Sequence, residues 1–227
     1  MIRKLLFVCT LLCLFATDAR AQTVTDERVW FTLTLQEPGN AGSPWRWTFE
    51  SYFRSREGVD ELDSMGFRPT VIYALNPHWS VGGGYAFVPQ FPVTGGTLID
   101  NRLYGQVGWT AAVGGGTLSL RTRMEVRFVE SNSGAAGRFR QQARFTHPFR
   151  KGSRFSWGGY DELFVYTNGT TLAARGVDSN RIYAGLAMAM PHSTRLEAGY
   201  LNQFSPGHRG ARDRMYHILS STLTVSF

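Results

Sequence analysis

The sequence predicts an all-β protein: a single antiparallel transmembrane β-barrel of about 10 to 12 strands, occupying residues 22–227. Three observations point there. Apolar and polar residues alternate with period two in eleven pieces, separated by clusters of Gly, Pro, Asn, Asp and Ser. No stretch beyond the amino-terminal segment offers the ~18 consecutive apolar residues that a membrane-crossing helix needs. Short and long connections alternate, as turns and loops do at the two ends of an outer-membrane barrel. Composition agrees: 43 % hydrophobic, 14 % aromatic and 25 glycines make the chain too apolar for disorder and too rich in glycine and aromatics for a helical bundle.

Residues 1–21 read as a secretory signal peptide. Arg3 and Lys4 give the positive start, Leu5 to Ala16 the apolar run, and Ala19-Arg20-Ala21 the small-x-small cleavage site before Gln22. The run is too short for a spanning anchor, which needs ~20 residues, and Leu12 before Cys13 is the wrong neighbour for a lipoprotein. Both cysteines, Cys9 and Cys13, fall in this leader, so the mature domain has no disulfide, cysteine metal site or thiol nucleophile. It retains 21 basic against 16 acidic residues, with Lys151 the one lysine.

In order along the chain, Val29, Phe31, Leu33 and Leu35 alternate with Trp30, Thr32 and Thr34. Next, Trp45, Trp47, Phe49, Ser51 and Phe53 alternate with Arg46, Thr48, Glu50, Tyr52 and Arg54. Pieces from Phe67 to Leu75, Trp79 to Phe87 and Arg102 to Ala111 follow, with Gly82-Gly83-Gly84 predicting a bulge or bend. The sixth piece opposes Leu118, Leu120, Thr122, Met124, Val126 and Phe128 to Ser119, Arg121, Arg123, Glu125 and Arg127. In the seventh, Phe139, Gln141, Ala143 and Phe145 face away from Arg138, Arg140, Gln142 and Arg144. The remaining pieces run Phe155 to Tyr166, Arg181 to Ala189, Arg195 to Gln203 and Met215 to Phe227. Asn76 to His78, Val113 to Gly116, His147 to Ser153 and Pro191 to Ser193 read as tight turns, and Val88 to Asp100, Thr167 to Asn180 and Phe204 to Arg214 as long loops. Single-chain bacterial barrels have even strand numbers. Eleven pieces therefore predict ten strands, if Val29 to Leu35 does not span, or twelve, if a short strand hides in a long loop. The tryptophans Trp30, Trp45, Trp47, Trp79, Trp109 and Trp157 sit near strand ends, where aromatic girdles belong.

Several short motifs, Arg121-Thr122-Arg123-Met124-Glu125 with Arg127-Phe128, Asp161-Glu162-Leu163-Phe164, Asn180-Arg181, Gly199 to Gln203, Gly84-Tyr85 and the closing Met215 to Phe227 strand, resemble those of family 2490 of the domains of unknown function. That resemblance implies an uncharacterised bacterial outer-membrane barrel with a signal peptide, and carries no agreed activity that could be transferred. Knowledge of outer-membrane proteins adds that an aromatic carboxy terminus such as Phe227 serves as a barrel-assembly signal.

With apolar faces toward lipid, the alternate faces meet in the lumen. They form a charge cluster of Arg121, Arg123, Glu125, Arg127, Arg138, Arg140, Arg144, Glu162, Arg181, Arg195 and Glu197. Arg46 and Glu50 belong to the same face, whereas Asp161 falls on the apolar one. Like charges opposite one another destabilise a sheet, and Glu50, Glu125, Glu162 and Glu197 are too few to neutralise these arginines. Two readings follow: a structural barrel whose lumen is locked by Arg–carboxylate pairs together with Tyr104, Gln106, Gln142 and Gln203, or a narrow channel favouring small anions.

The alternative of a hydrolase acting on lipid or peptide finds poor footing. His78, His147 and His192 lie on the tight-turn side and His208 in a long loop, while His217 is four residues, ~13 Å, from Ser221 on its own face. Asp60-Glu61-Leu62-Asp63 reads as a solvated acidic loop without calcium-ligand spacing, and Gly114-Gly115-Gly116 as a turn. The arginines alternate with apolar residues rather than forming a patch among stacking aromatics, so nucleic acid is not predicted. The expected partners are outer-membrane lipid, the barrel-assembly machinery and small anions, with no cofactor and no metal.

Overall fold

Eleven strands close on themselves in a computed structural model that describes residues 23–37, 42–130, 132–171 and 173–227; the leader, residues 1–21, lies outside the described residues. The strands are β1 (Val24–Gln36), β2 (Trp45–Arg56), β3 (Glu61–Ala74), β4 (Trp79–Gln90), β5 (Leu98–Val113), β6 (Gly116–Val129), β7 (Ala136–Pro148), β8 (Phe155–Tyr166), β9 (Gly176–Met190), β10 (Thr194–Ser205) and β11 (Arg214–Ser226). Each pairs antiparallel with its sequence neighbour. No helix occurs among the described residues.

The all-β barrel is therefore as the alternation predicts, but both even counts are wrong. β1 is a full strand, and the described residues hold no twelfth. The reason is geometric. Each hairpin reverses the chain, so the first and last of an odd set run the same way and must close in parallel. Val24 pairs with Arg214 and Gln36 with Ser226 along an unbroken parallel seam, whose slanted hydrogen bonds are a little weaker per residue than antiparallel ones.

Strands run beyond the predicted pieces. β3 starts at Glu61, so the acidic Asp60 to Asp63 stretch is the end of a hairpin: Glu61 is paired with Arg56 at 2.6 Å and Asp63 with Arg28 at 3.4 Å. At one rim the chain leaves the sheet between β2 and β3, β4 and β5, β6 and β7, β8 and β9, and β10 and β11; at the other, between β1 and β2, β3 and β4, β5 and β6, β7 and β8, and β9 and β10. The asymmetry of loops and turns is thus weaker than expected, because the strands absorb the ends of the predicted long loops and the eight-residue step from the end of β1 to the start of β2 is made at the tight-turn rim.

The triple glycine is not a bulge. Register passes unbroken through Gly82, Gly83 and Gly84 against both neighbours; the shifts occur instead at Arg54/Ser55 and Phe164/Val165. Gly84 serves close approach, since a Cβ there would lie 2.5 Å from the Tyr104 hydroxyl. Gly66 does the same for Tyr52, and Gly185 and Gly199 for Tyr183. Interior tyrosines therefore lie across glycines on a neighbouring strand or, for Gly185, two residues along the same strand, which keeps a wide ring inside a wall already crowded with arginine.

Faces alternate throughout. Outward are Leu103, Val107, Leu120, Met124, Val126, Phe128, Ile182, Leu186 and Leu219, all exposed. Aromatics gather outside at the tight-turn rim: Trp45 against Tyr73, Trp47 against Phe227, and Phe145 and His147 against Trp157. Trp30 departs from the predicted girdle, because even-numbered positions of β1 face inward. It is buried in an interior cluster with Tyr183, Leu201 and Ile218, while Tyr52, Ala86, Val88 and Tyr104 form a second cluster on another part of the wall.

Because all three nearest contacts of a Cβ at Gly66 belong to the Tyr52 ring, the closest at 2.2 Å, Gly66→Ala is expected to destabilise the barrel by about 1–3 kcal/mol through overpacking. Combining it with Tyr52→Leu should recover most of that loss, as read from urea unfolding midpoints of the refolded protein.

Candidate functional site

The alternation of β5 to β8 turns one long row of charge into the barrel. It also sets arginine directly opposite arginine: Arg102 pairs with Arg127 across β5–β6, and Arg123 with Arg140 across β6–β7. Such pairs repel, and each is bridged by a carboxylate two residues away on the same face. Asp100, with 0 % of its surface exposed, takes Arg102 at 2.6 Å and Arg127 at 2.5 Å. Glu125, 2 % exposed, takes Arg138 and Arg140 at 2.6 Å each and Arg123 at 3.7 Å.

From there the network runs on. Arg140 also reaches Glu162 at 2.6 Å, and Glu162 takes Arg121 at 2.9 Å. Arg138, Glu125, Arg140, Glu162 and Arg121 thus form one chain of alternating sign across β6, β7 and β8. Nearer the tight-turn rim, Glu197 is shared by Arg144 at 2.5 Å and Arg195 at 3.2 Å. Glu50 pairs with Arg68 at 2.9 Å, and the register shift in β8–β9 lets Asp178 come within 3.5 Å of Arg138. Amides and hydroxyls complete the shell: Arg123 donates to Gln106 Oε1 at 2.6 and 3.0 Å, Arg181 to Gln203 Oε1 at 2.7 Å, and Arg127 to the Tyr166 hydroxyl.

All eleven positions of the predicted charge cluster lie on the inner wall, in four groups: the Glu125–Glu162 chain with Arg121, Arg123, Arg138 and Arg140, the Glu197 triad with Arg144 and Arg195, Arg127 on Asp100, and Arg181 with no ion pair among the described residues. Arg46 likewise has no ion pair among them. Asp161 faces outward, accepting from Asn180 Nδ2 at 2.9 Å. Asp100, Arg102, Arg68 and Arg54 escape a reading that assigns Asp100 to a loop end. The signal that finds Asp100 and Arg102 is their i, i+2 spacing ahead of Tyr104 and Gln106, which continues the inward row.

Guanidiniums are layered on rings. Arg54 stands 4.1 Å from the Trp30 ring centre and 4.4 Å from that of Tyr52. Arg181 stands 4.8 Å from Trp30 and 4.5 Å from Phe164, Arg140 4.6 Å from Phe164, and Arg123 4.1 Å from Tyr104. Such stacking offsets part of the cost of taking a cation out of water. Between these groups lies a chamber of about 290 Å³, lined by Arg54, Arg181, Arg121, Arg140, Trp30 and Tyr52 among others. A second space of about 410 Å³ sits under the 206–213 loop, and the two share no lining residue.

The histidines are held elsewhere. His78 Nδ1 contacts the Thr110 carbonyl at 2.9 Å, His147 Nε2 the Gly114 carbonyl at 3.2 Å, His208 Nε2 the Val177 carbonyl at 2.7 Å, and His217 Nδ1 the Tyr200 hydroxyl at 2.6 Å. Among the described residues no group of His, Cys, Asp and Glu is arranged to hold a metal ion.

Comparison with known proteins gives a match to the family described as protein of unknown function DUF2490 over residues 27–215. An uncharacterized protein of Methylorubrum extorquens is 31 % identical, with the whole of both chains covered. No solved structure matches.

Removing one partner of a buried ion pair costs about 3–5 kcal/mol, and Glu125 serves three guanidiniums, of which Arg140 keeps Glu162, Arg138 keeps Asp178 and Arg123 keeps no carboxylate. Glu125→Gln is therefore expected to lower unfolding stability by that amount. Glu197→Gln, whose partner Arg195 keeps 42 % of its side chain exposed, is expected to cost less than half as much in the same denaturant series.

Proposed function

As the chain belongs to the DUF2490 family, for which no activity is described, we propose that it is an outer-membrane β-barrel without catalytic activity, whose lumen is obstructed by its own charged side chains. The observation that carries this reading is the inversion of polarity across the wall: large apolar side chains outward and exposed, arginine and carboxylate inward and buried. A water-soluble barrel would be under pressure to do the opposite, since an unbroken apolar exterior is an aggregation surface in water and the ordinary condition in lipid. Closure supports it too, for a barrel satisfies its backbone hydrogen bonds without an edge.

The aromatics around Trp45, Trp47 and Trp157 match an interfacial girdle at the tight-turn rim, and the exposed Phe227 beside Trp47 would be offered to the assembly machinery there. Outward polar groups are mutually bonded, Asn180 with Asp161 and Thr122 with Gln141, as groups facing hydrocarbon need to be. Obstruction is supported by the Glu125–Glu162 chain and by the separate linings of the two interior spaces. The excess of guanidinium favours, as a second reading, a narrow passage selective for anions. The histidine partners, carbonyls and a tyrosine, lend no support to a hydrolase.

Purified protein in planar bilayers is expected to show no unitary conductance; steps with an anion-to-cation ratio well above one would replace obstruction by the selective passage. Membrane residence has its own test. Met124→Arg on the outer face should lower stability in a bilayer by about 2–4 kcal/mol if it sits near the midplane. An effect near zero, or recovery of the native protein in the soluble periplasmic fraction, would overturn the placement.

A further inference from the structure

The chamber, lined from β1 to β3, β5 to β9 and β11, carries more positive charge than its wall compensates. Glu50 and Glu162 are its lining acids, and both are already engaged, by Arg68 and by Arg121 with Arg140. Arg54 has neither an ion pair nor a hydrogen bond among the described residues. Arg181 has one neutral acceptor, Gln203. Both stand over Trp30. Stacking stabilises a guanidinium without using its N–H groups, so these two forks remain free to donate.

Two further uncommitted groups in this wall can donate. Trp30 Nε1 and the Tyr52 hydroxyl are buried with no hydrogen-bond partner, and both side chains line the chamber. A buried donor left unpaired carries a desolvation penalty, and native structures rarely keep two in one wall without a reason. Two cationic forks with free N–H groups and two orphaned donors around one interior space form a receptor for an acceptor-rich anion.

We propose that this chamber binds a small phosphate-bearing anion, held by Arg54 and Arg181 with Trp30 and Tyr52 as neutral donors. Four features select that chemistry. At about 290 Å³ the space is far larger than a halide needs. A tetrahedral oxyanion accepts from several directions at once, as groups spread over separate strands require, and bidentate guanidinium recognition suits phosphate. Two uncompensated cations match a dianion better than a monocarboxylate. Ser220 and Thr222 bring hydroxyls from β11 to the same space, which suits the organic remainder of a phosphate monoester. The inference rests on the inward-facing charged interior of the reading above, and neither on its obstruction nor on where the barrel resides.

The test is calorimetric titration of the folded full-length mature protein in detergent micelles, at constant ionic strength, with inorganic phosphate, glycerol phosphate, acetate and chloride. Saturable binding of the two phosphates is expected, with acetate and chloride at least about tenfold weaker. Glycerol phosphate binding more tightly than inorganic phosphate identifies a monoester; the reverse order identifies free phosphate. Arg54→Gln and Arg181→Gln should each weaken phosphate by about tenfold or more, whereas Arg150→Gln in a turn should not. Folding is checked by heat-modifiable gel mobility, and the series with the native protein stands even if a variant fails to refold. No saturable phosphate binding by the native protein, equal binding of chloride, or folded variants that bind as the native protein does would each overturn the proposal. A barrel that binds phosphate and also conducts ions would overturn obstruction alone, while one that is silent in bilayers and binds nothing would overturn the site alone.

Discussion

Sharing of carboxylates by guanidiniums is the constraint on which the interior depends. Asp100, Glu125, Glu162 and Glu197 are each in contact with at least two arginines. A one-to-one pairing would leave many cations stranded in a confined space, whereas sharing lets each acid quiet two at once and fixes the strands that carry them. Ion pairs of this kind are weak evidence for stability as such. Their value here is positional, since the chain from Arg138 to Arg121 ties β6, β7 and β8 in one register from within.

Aromatic rings take the second part of the load. Trp30, Tyr52, Tyr104 and Phe164 offer faces to arginines, and the glycines opposite the tyrosines make room for the rings. Removing a ring, a glycine or an acid therefore disturbs the same arrangement by different routes. This coupling explains why the wall tolerates arginines directly opposite one another on adjacent strands at two points.

Much of this was legible in the sequence. Strict alternation in β6 and β7 assigns Arg121 to Arg144 to one face and Met124 to Phe145 to the other, and short apolar pieces exclude helices. Less was legible where local signals compete. Trp30 looks like a girdle residue because tryptophan near a strand end commonly is one, and only closure of the ring shows its neighbours Leu201 and Ile218 from the far end of the chain. Asp100 looks like a loop residue beside Gly95 and Gly96, although the strand has already begun at Leu98. The odd number was in the pattern, which showed eleven pieces, and the expectation of an even barrel overrode it, because periodicity describes each piece and says nothing of how the first meets the last.

That meeting has an effect on how the fold finds its register. Ten of the eleven seams are short-range pairings whose alignment a connecting turn or loop helps to set. The parallel seam joins residues about 190 positions apart, as in the bond from Gln36 Nε2 to Ser226 Oγ at 3.0 Å, and no turn aligns it. A slip of one residue would send Trp30 out of its cluster and bring Phe31 in. Alignment there falls to the fit of Trp30 against Ile218 and Leu201, so an interior side chain acts as the latch by which a sheet becomes a cylinder.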